Sequence, residues 1–237
     1  MTAIIFDFDQ TLVFSQLGFN KAEEDVQKVL YPLTIDNAIL TFQEFQEQYW
    51  KLREEFMSKQ NHNRRDWWSA LLGYYGIQVG DSFFLQAENK YWDMVEEHSI
   101  LFQETIQTLH SLRERGIWKM GIISDTDGQV GRKMQRIHHF PELTAFYKSI
   151  IVAGEGIPCK PDPAPFKKCV QELKVGGGEK VYFVGDNYRV DVVGSQSAGL
   201  TPVWLRHPWV RELDKNLDTK ETDILVLTSL DQLITLI

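Results

Sequence analysis

The sequence predicts a doubly wound, mostly parallel α/β sheet, interrupted near its start by an all-helical insertion. Three observations predict it. Short apolar runs recur at 3–8, 117–123, 148–153, 180–184, 201–205 and 223–227. They are unbroken rather than alternating, as in strands covered on both faces. From about residue 100 onward helical patterns separate these runs, and strand–helix alternation is the mark of a parallel sheet. Residues 15–98 lack that rhythm and carry several long helical stretches instead.

Taken in order, residues 3–8 form the first buried strand. The insertion then reads as helices over KAEEDVQKVLYPL, TFQEFQEQYWKLREEFMSKQ, RRDWWSALLGYYG and SFFLQAENKYWDMVEEH. Its tryptophans Trp50, Trp67, Trp68 and Trp92 are expected to form its own core. Residues 101–116 put Ile106, Leu109 and Leu112 on one helical face and stop at Gly116, a C-cap. Helices are expected next at 127–140, 162–175 and 191–199. KVGGGEK (174–180) is a glycine-rich turn between helix and strand. The last helix, 229–237, opens on Ser229 as N-cap. The expected division is a core of 1–14 and 99–237 around an inserted domain of 15–98.

The chain has 237 residues, 43% of them hydrophobic, enough for a substantial globular core. Its net charge of −8 argues against a nucleic-acid-binding surface or a polybasic membrane contact. Two cysteines, Cys159 and Cys169, are too few for a disulfide framework and suit a reducing cytosol. No Cys/His cluster suggests zinc. The N-terminus has no basic n-region, and no apolar stretch approaches membrane-spanning length. The expectation is a soluble cytoplasmic protein.

Polar groups follow the apolar runs at four places: IIFDFDQTL (4–12), MGIISDTDG (120–128), PCKPDPAPF (158–166) and VYFVGDNYRVD (181–191). In open α/β sheets ligands bind beyond the carboxyl ends of the strands, at the switch in strand order. Asp7 and Asp9, two apart, would point to one side of an extended chain. Two carboxylates can divide labour, one as nucleophile and one as proton carrier. Taken alone, an Asp-x-Asp pair is as well read as a solvated turn. Ser124 could bond a phosphate oxygen or cap the helix that follows it, and Asp125 and Asp127 could cap as well. Pro161 biases Lys160 away from helical backbone, so a rigid loop could aim its ammonium at phosphoryl charge. Asp186 and Asp191 bracket a strand-to-helix turn, a carboxylate arrangement that suits Mg²⁺. Asp191 alone could equally be a helix cap.

The order DFDQT, SD, KPDP and GDNYRVD resembles the haloacid dehalogenase-like superfamily, in the branch with a helical cap inserted after the first motif. The resemblance runs over nearly the whole chain, SQSAGL (195–200) included. It implies a Rossmann-like core, a cap at 15–98 and an aspartyl-phosphate mechanism. Asp7 would attack phosphorus; Asp9 would protonate the leaving group and then activate water. Thr11, Ser124 and Asp125 would serve the loop and the substrate phosphate. Lys160 would stabilise Asp7 and the transferring group. Mg²⁺ would be held by the Asp7 carboxylate, the Asp9 carbonyl and Asp186, with Asp191 in support. Gln10 departs from the glycine most frequent at its position, Asp125 from asparagine and Ser195 from alanine.

Members of the superfamily that cleave carbon–halogen bonds lack the second aspartate, so Asp9 favours phosphoryl chemistry. The expected activity is hydrolysis of a small phosphorylated metabolite by a monomer or homodimer. A phosphomutase and a catalytically silent binding module of the same fold are the alternatives. Arg64 and Arg65 read as a solvated helix start above the insertion's core.

Overall fold

The computed structural model describes residues 2–35, 41–207 and 224–237. The chain divides into two compact units. One comprises Met1–Phe14, Ile100–Thr126 and Val130–Ile237; the other comprises Ser15–Ser99 and Asp127–Gln129.

The first unit is built on six strands: β1 (Thr2–Phe6), β4 (Lys119–Asp125), β5 (Ser149–Ala153), β6 (Lys180–Gly185), β7 (Thr201–Leu205) and β8 (Leu225–Leu227). They form one sheet in the order β5-β4-β1-β6-β7-β8, with every pairing parallel. Successive side chains of a strand face opposite ways. Ile4 and Phe6 therefore enter one core with Met120, Ile122 and Val184. Ile5 enters the other with Ile123, Phe183 and Phe166. Burial on both faces is why these strands read as unbroken apolar runs. The chain moves outward from β1 to β4 and β5, then returns to the other side of β1 as β6. The switch in strand order thus falls at the carboxyl end of β1.

The remaining elements of this unit follow local rules. A two-stranded antiparallel ribbon, β2 (Val13–Phe14) and β3 (Ile100–Leu101), lies where the insertion leaves and rejoins the chain. The sequence did not predict it. Helix α5 (Thr105–Glu114) ends as expected: Gly116 has φ +83 and Ile117 N–H donates to the Leu112 carbonyl at 3.0 Å. Helix α6 (Arg132–His138) starts later than expected, because Gly128 (φ +91) and Gly131 (φ +81) break the backbone first. It is followed by the short α7 (Pro141–Thr144). Asp162 caps α8 (Pro163–Glu172) by accepting from Ala164 N–H at 2.8 Å, with prolines in the first turn. A π-helical turn, Tyr188–Val192, leads into α9 (Val193–Ser197).

At the C-terminus a 3₁₀ turn (Leu230–Gln232) precedes α10 (Leu233–Leu236). Ser229 stands at the cap position, but its hydroxyl bonds the Asp231 carboxylate rather than a backbone N–H, so it is not the expected side-chain cap. Residue 223 of the strand expected at 223–227 lies outside the described residues.

The second unit contains α1 (Gln16–Thr34), α2 (Phe42–Ser58), α3 (Arg64–Tyr74) and α4 (Asp81–Glu97). Thr41 and Glu44 form a capping box that starts α2. Trp67, Trp68 and Trp92 are fully buried with Tyr49 and Tyr91. Trp50 departs from expectation: it is 42% exposed, with Arg53 over its ring at 5.4 Å. Nor is the start of α3 simply solvated. Arg64 lies 4.3 Å from the Tyr91 ring centre and 4.2 Å from that of Trp92, and Arg65 pairs with buried Glu88. A buried carboxylate needs donors; Glu23 receives the Tyr49 hydroxyl, the Tyr91 hydroxyl (2.9 Å) and Arg53 Nε (3.2 Å). Among the described residues no helix is long and apolar enough to cross a membrane.

Candidate active site

Asp7 directly follows β1 and extends its ladder by one rung, donating its N–H to the Val184 carbonyl at 2.8 Å. The chain then turns tightly. Leu12 and Val13 N–H both donate to the Phe8 carbonyl, at 3.0 and 3.1 Å, and Gln10 N–H donates to Val13 at 2.7 Å. Gln10 takes φ +60, a left-handed backbone that costs a side-chain-bearing residue and suits glycine. That explains the glycine usual at this position. His207 Nε2 donates to the Gln10 carbonyl at 2.7 Å.

Lys160 comes from the loop between β5 and α8, seven residues past the strand end rather than directly after it. Its position is fixed in three ways. Its N–H donates to Asp125 Oδ1 at 2.8 Å, and its ammonium donates to Asp7 Oδ1 at 2.8 Å and to Asp191 Oδ1 at 2.7 Å. Asp191 is itself held, with Oδ2 accepting from Asn187 N–H at 3.0 Å. Gly185 makes room for this: a Cβ there would lie 2.4 Å from Asp191 Oδ2.

One cation between two buried carboxylates cannot neutralise both. Burial raises the Asp7 carboxyl to about 6; Lys160 opposes this and Asp191 adds to it. Burial likewise raises Asp191 against the pull of Lys160. For Lys160, burial alone would lower the ammonium. The Asp191 and Asp7 carboxylates outweigh it and keep the lysine charged.

Asp9 faces different partners, which the sequence reading missed. Arg136 Nη2 donates to its Oδ1 at 2.5 Å, while Arg136 Nη1 (3.2 Å) and Lys133 Nζ (2.5 Å) donate to Oδ2. Burial by itself would raise this carboxyl. Arg136 and then Lys133 outweigh burial and hold it well below the usual carboxylate range. Both cations come from α6 and are nearly fully buried. The signal available was the RKMQR stretch (132–136), whose Lys133 and Arg136 share a helix face at i, i+3 spacing.

The other expected residues lie as follows. Ser124 is buried at the carboxyl end of β4, the strand beside β1. Asp125 turns its carboxylate to the Lys160 backbone. Among the described residues the buried Thr11 hydroxyl finds no hydrogen-bond partner. Asp186 follows β6, and its carbonyl accepts from Trp204 Nε1 at 2.9 Å.

Asp7, Asp186 and Asp191 each offer a carboxylate oxygen, all within 4.8 Å of one another. Hard oxygen donors at that spacing fit a divalent cation. Asp7 and Asp186 thus lie together at the strand ends. The Asp9 carboxylate is engaged with its own cations, so only its carbonyl remains for a metal role.

The haloacid dehalogenase-like hydrolase family matches residues 1–199. A glyceraldehyde 3-phosphate phosphatase of Methanopyrus kandleri is 28% identical over 93% of this chain and 91% of its own. A pyrimidine 5′-nucleotidase of Streptococcus pneumoniae is 25% identical over 85% of this chain and 83% of its own. The crystal structure of a HAD phosphatase from Thermococcus onnurineus shares the fold, with a TM-score of 0.66 at 22% identity over 100% of this chain and 97% of that one. With its six-stranded parallel sheet and its acidic cluster around a buried lysine at the strand ends, this chain belongs to the haloacid dehalogenase-like hydrolases.

Proposed function

We propose that the protein is a Mg²⁺-dependent phosphatase that hydrolyses a small phosphorylated metabolite through an aspartyl-phosphate at Asp7. The observation that carries this reading is Asp7 itself. It is a buried carboxylate at the switch in strand order, 2.8 Å from the Lys160 ammonium and within reach of Asp186 and Asp191. Mg²⁺, when bound by the Asp7 and Asp186 carboxylates and the Asp9 carbonyl, would offset the charge of phosphate and nucleophile.

In the first step an Asp7 oxygen bonds to phosphorus, the ester P–O bond breaks, and the leaving oxygen takes a proton. In the second, water attacks that phosphorus, loses a proton, and frees the Asp7 carboxylate and inorganic phosphate. Lys160 supports both steps electrostatically, since it faces the attacking carboxylate. Asp191 positions that ammonium, and Asp125 fixes the loop that carries it. Ser124, at the end of the neighbouring strand, binds the phosphoryl oxygens. Thr11 belongs to the turn that carries Asp9.

Asp9 carries the proton in both steps. Both its oxygens accept from cations here, so it has to exchange one of them for the leaving group before it protonates. The two relatives act, by name, on phosphate monoesters of small molecules, which supports that substrate class. Residues 15–98 would serve as the cap that selects the leaving group, in a cytoplasmic monomer or homodimer.

Phosphate release from p-nitrophenyl phosphate and a panel of phosphorylated metabolites, with Mg²⁺ and with EDTA, tests the reading. Release is expected with Mg²⁺ alone, and Asp7→Asn should reduce it to background. A fully active Asp7→Asn would remove the nucleophile assignment. A wild-type chain inactive on every ester would favour the binding module.

A further inference from the structure

We propose that His207 is a positioning residue for this reaction, holding the Asp9–Thr11 turn in its strained form. The inference rests on the phosphatase reading, because the turn it acts on carries Asp9.

The turn has a cost built into it. Gln10 bears a side chain at φ +60, and a non-glycine residue keeps such a backbone only where its surroundings fix it. The surroundings here are specific. His207 Nε2 donates to the Gln10 carbonyl at 2.7 Å. A carbonyl only accepts, so Nε2 carries the proton. The ring is 5% exposed and stacked on Phe102, with centroids 4.8 Å apart and planes 17° apart. Phe102 is itself tied to the same turn, donating its N–H to the Leu12 carbonyl at 3.2 Å. Thr105 Oγ1 donates to that carbonyl at 2.9 Å.

The turn is thus gripped at two carbonyls, one each side of Thr11. The Gln10 carbonyl lies in the peptide that joins Gln10 to Thr11; the Thr11 N–H of that plane donates to the Phe8 carbonyl at 3.4 Å, a longer contact than the one His207 makes. Without the His207 hold, relaxation of the Gln10 φ from +60 would reorient the preceding peptide, to which the Asp9 carbonyl belongs. A shift of about 1 Å at a positioned group can cost on the order of a hundredfold in rate.

The test separates the donor from the packing. His207→Phe keeps a ring on Phe102 and loses the hydrogen bond; His207→Gln keeps a donor. With p-nitrophenyl phosphate and Mg²⁺, His207→Phe should lower kcat about tenfold and leave KM within about twofold. His207→Gln should stay within about threefold of wild type. Gln10→Gly added to His207→Phe should restore kcat to within about threefold, because glycine takes this backbone without the hold.

A His207→Phe kcat within about twofold of wild type, even with a lowered melting temperature, overturns the inference and leaves a packing role. Failure of Gln10→Gly to restore the rate overturns it as well, as does failure of both variants to fold. A wild-type chain that releases no phosphate overturns the phosphatase reading first, and the inference with it.

Discussion

Lys160 serves two buried carboxylates with one ammonium, and the imbalance has a measurable sign. The folded value of Asp7, about 6, lies above its ordinary 3.8, so the folded chain binds this proton more tightly. Between those values the unfolded chain deprotonates first, and stability falls as pH rises through the window. Asp7→Asn removes that fall. In metal-free buffer, urea denaturation should find the variant more stable by about 1–3 kcal/mol near neutral pH, with the gain vanishing toward pH 4. Asp9 has the opposite sign. Its folded value is depressed, so its contribution is present above the ordinary carboxylate range and is lost as pH falls through the folded value. Arg136→Met breaks the two-pronged grip and should cost about 2–4 kcal/mol at neutral pH, with a weaker dependence of stability on acid. Asp7, Lys160, Asp186 and Asp191 were legible because each follows a strand-like run or a proline-fixed loop. Lys133 and Arg136 were not. A basic pair on a helix reads as solvated until the fold lays that helix face against Asp9.

Elements show the same division between local and distant causes. The six sheet strands were legible because burial on both faces leaves unbroken apolar runs. The β2–β3 ribbon was not, since two-residue strands carry no period. The start of α6 was misread because Gly128 and Gly131 break the backbone before it, and both fell inside the stretch read as helix. Gly185 shows how an element can depend on one missing side chain. Gly185→Ala would place a methyl group against the Asp191 carboxylate. It should cost about 1–3 kcal/mol in thermal denaturation and lower kcat by disturbing the Lys160 contact. In the helical unit the aromatic pattern suggested four core tryptophans, and burial separates them. Trp68→Ala should destabilise by about 3–5 kcal/mol and Trp50→Ala by less than about 1 kcal/mol, as chemical denaturation would show.

For the whole molecule, family membership sets the chemistry more tightly than the substrate. The two named relatives align with most of this chain and, by name, act on different phosphate esters; one fold can host different substrates. Ligand linkage gives a global measurement. A cation bound only by the folded chain, at Asp7, Asp186 and the Asp9 carbonyl, would raise the unfolding free energy by about 2.7 kcal/mol at a hundred times its Kd. Melting temperature should therefore climb with added Mg²⁺, and Asp186→Asn should blunt the rise. The division of the chain has one more consequence. Residues 127–129 belong to the helical unit although both their neighbours in sequence belong to the other. Gly128 lies so close to the loop before α3 that a Cβ would come within 2.2 Å of the His62 carbonyl. Residues 15–99 are therefore not a self-contained cassette. Grafting a relative's insertion at those two junctions alone would leave Asp127–Gln129 fitted to a surface no longer there. A working chimera has to transplant both segments, 15–99 and 127–129, as a set.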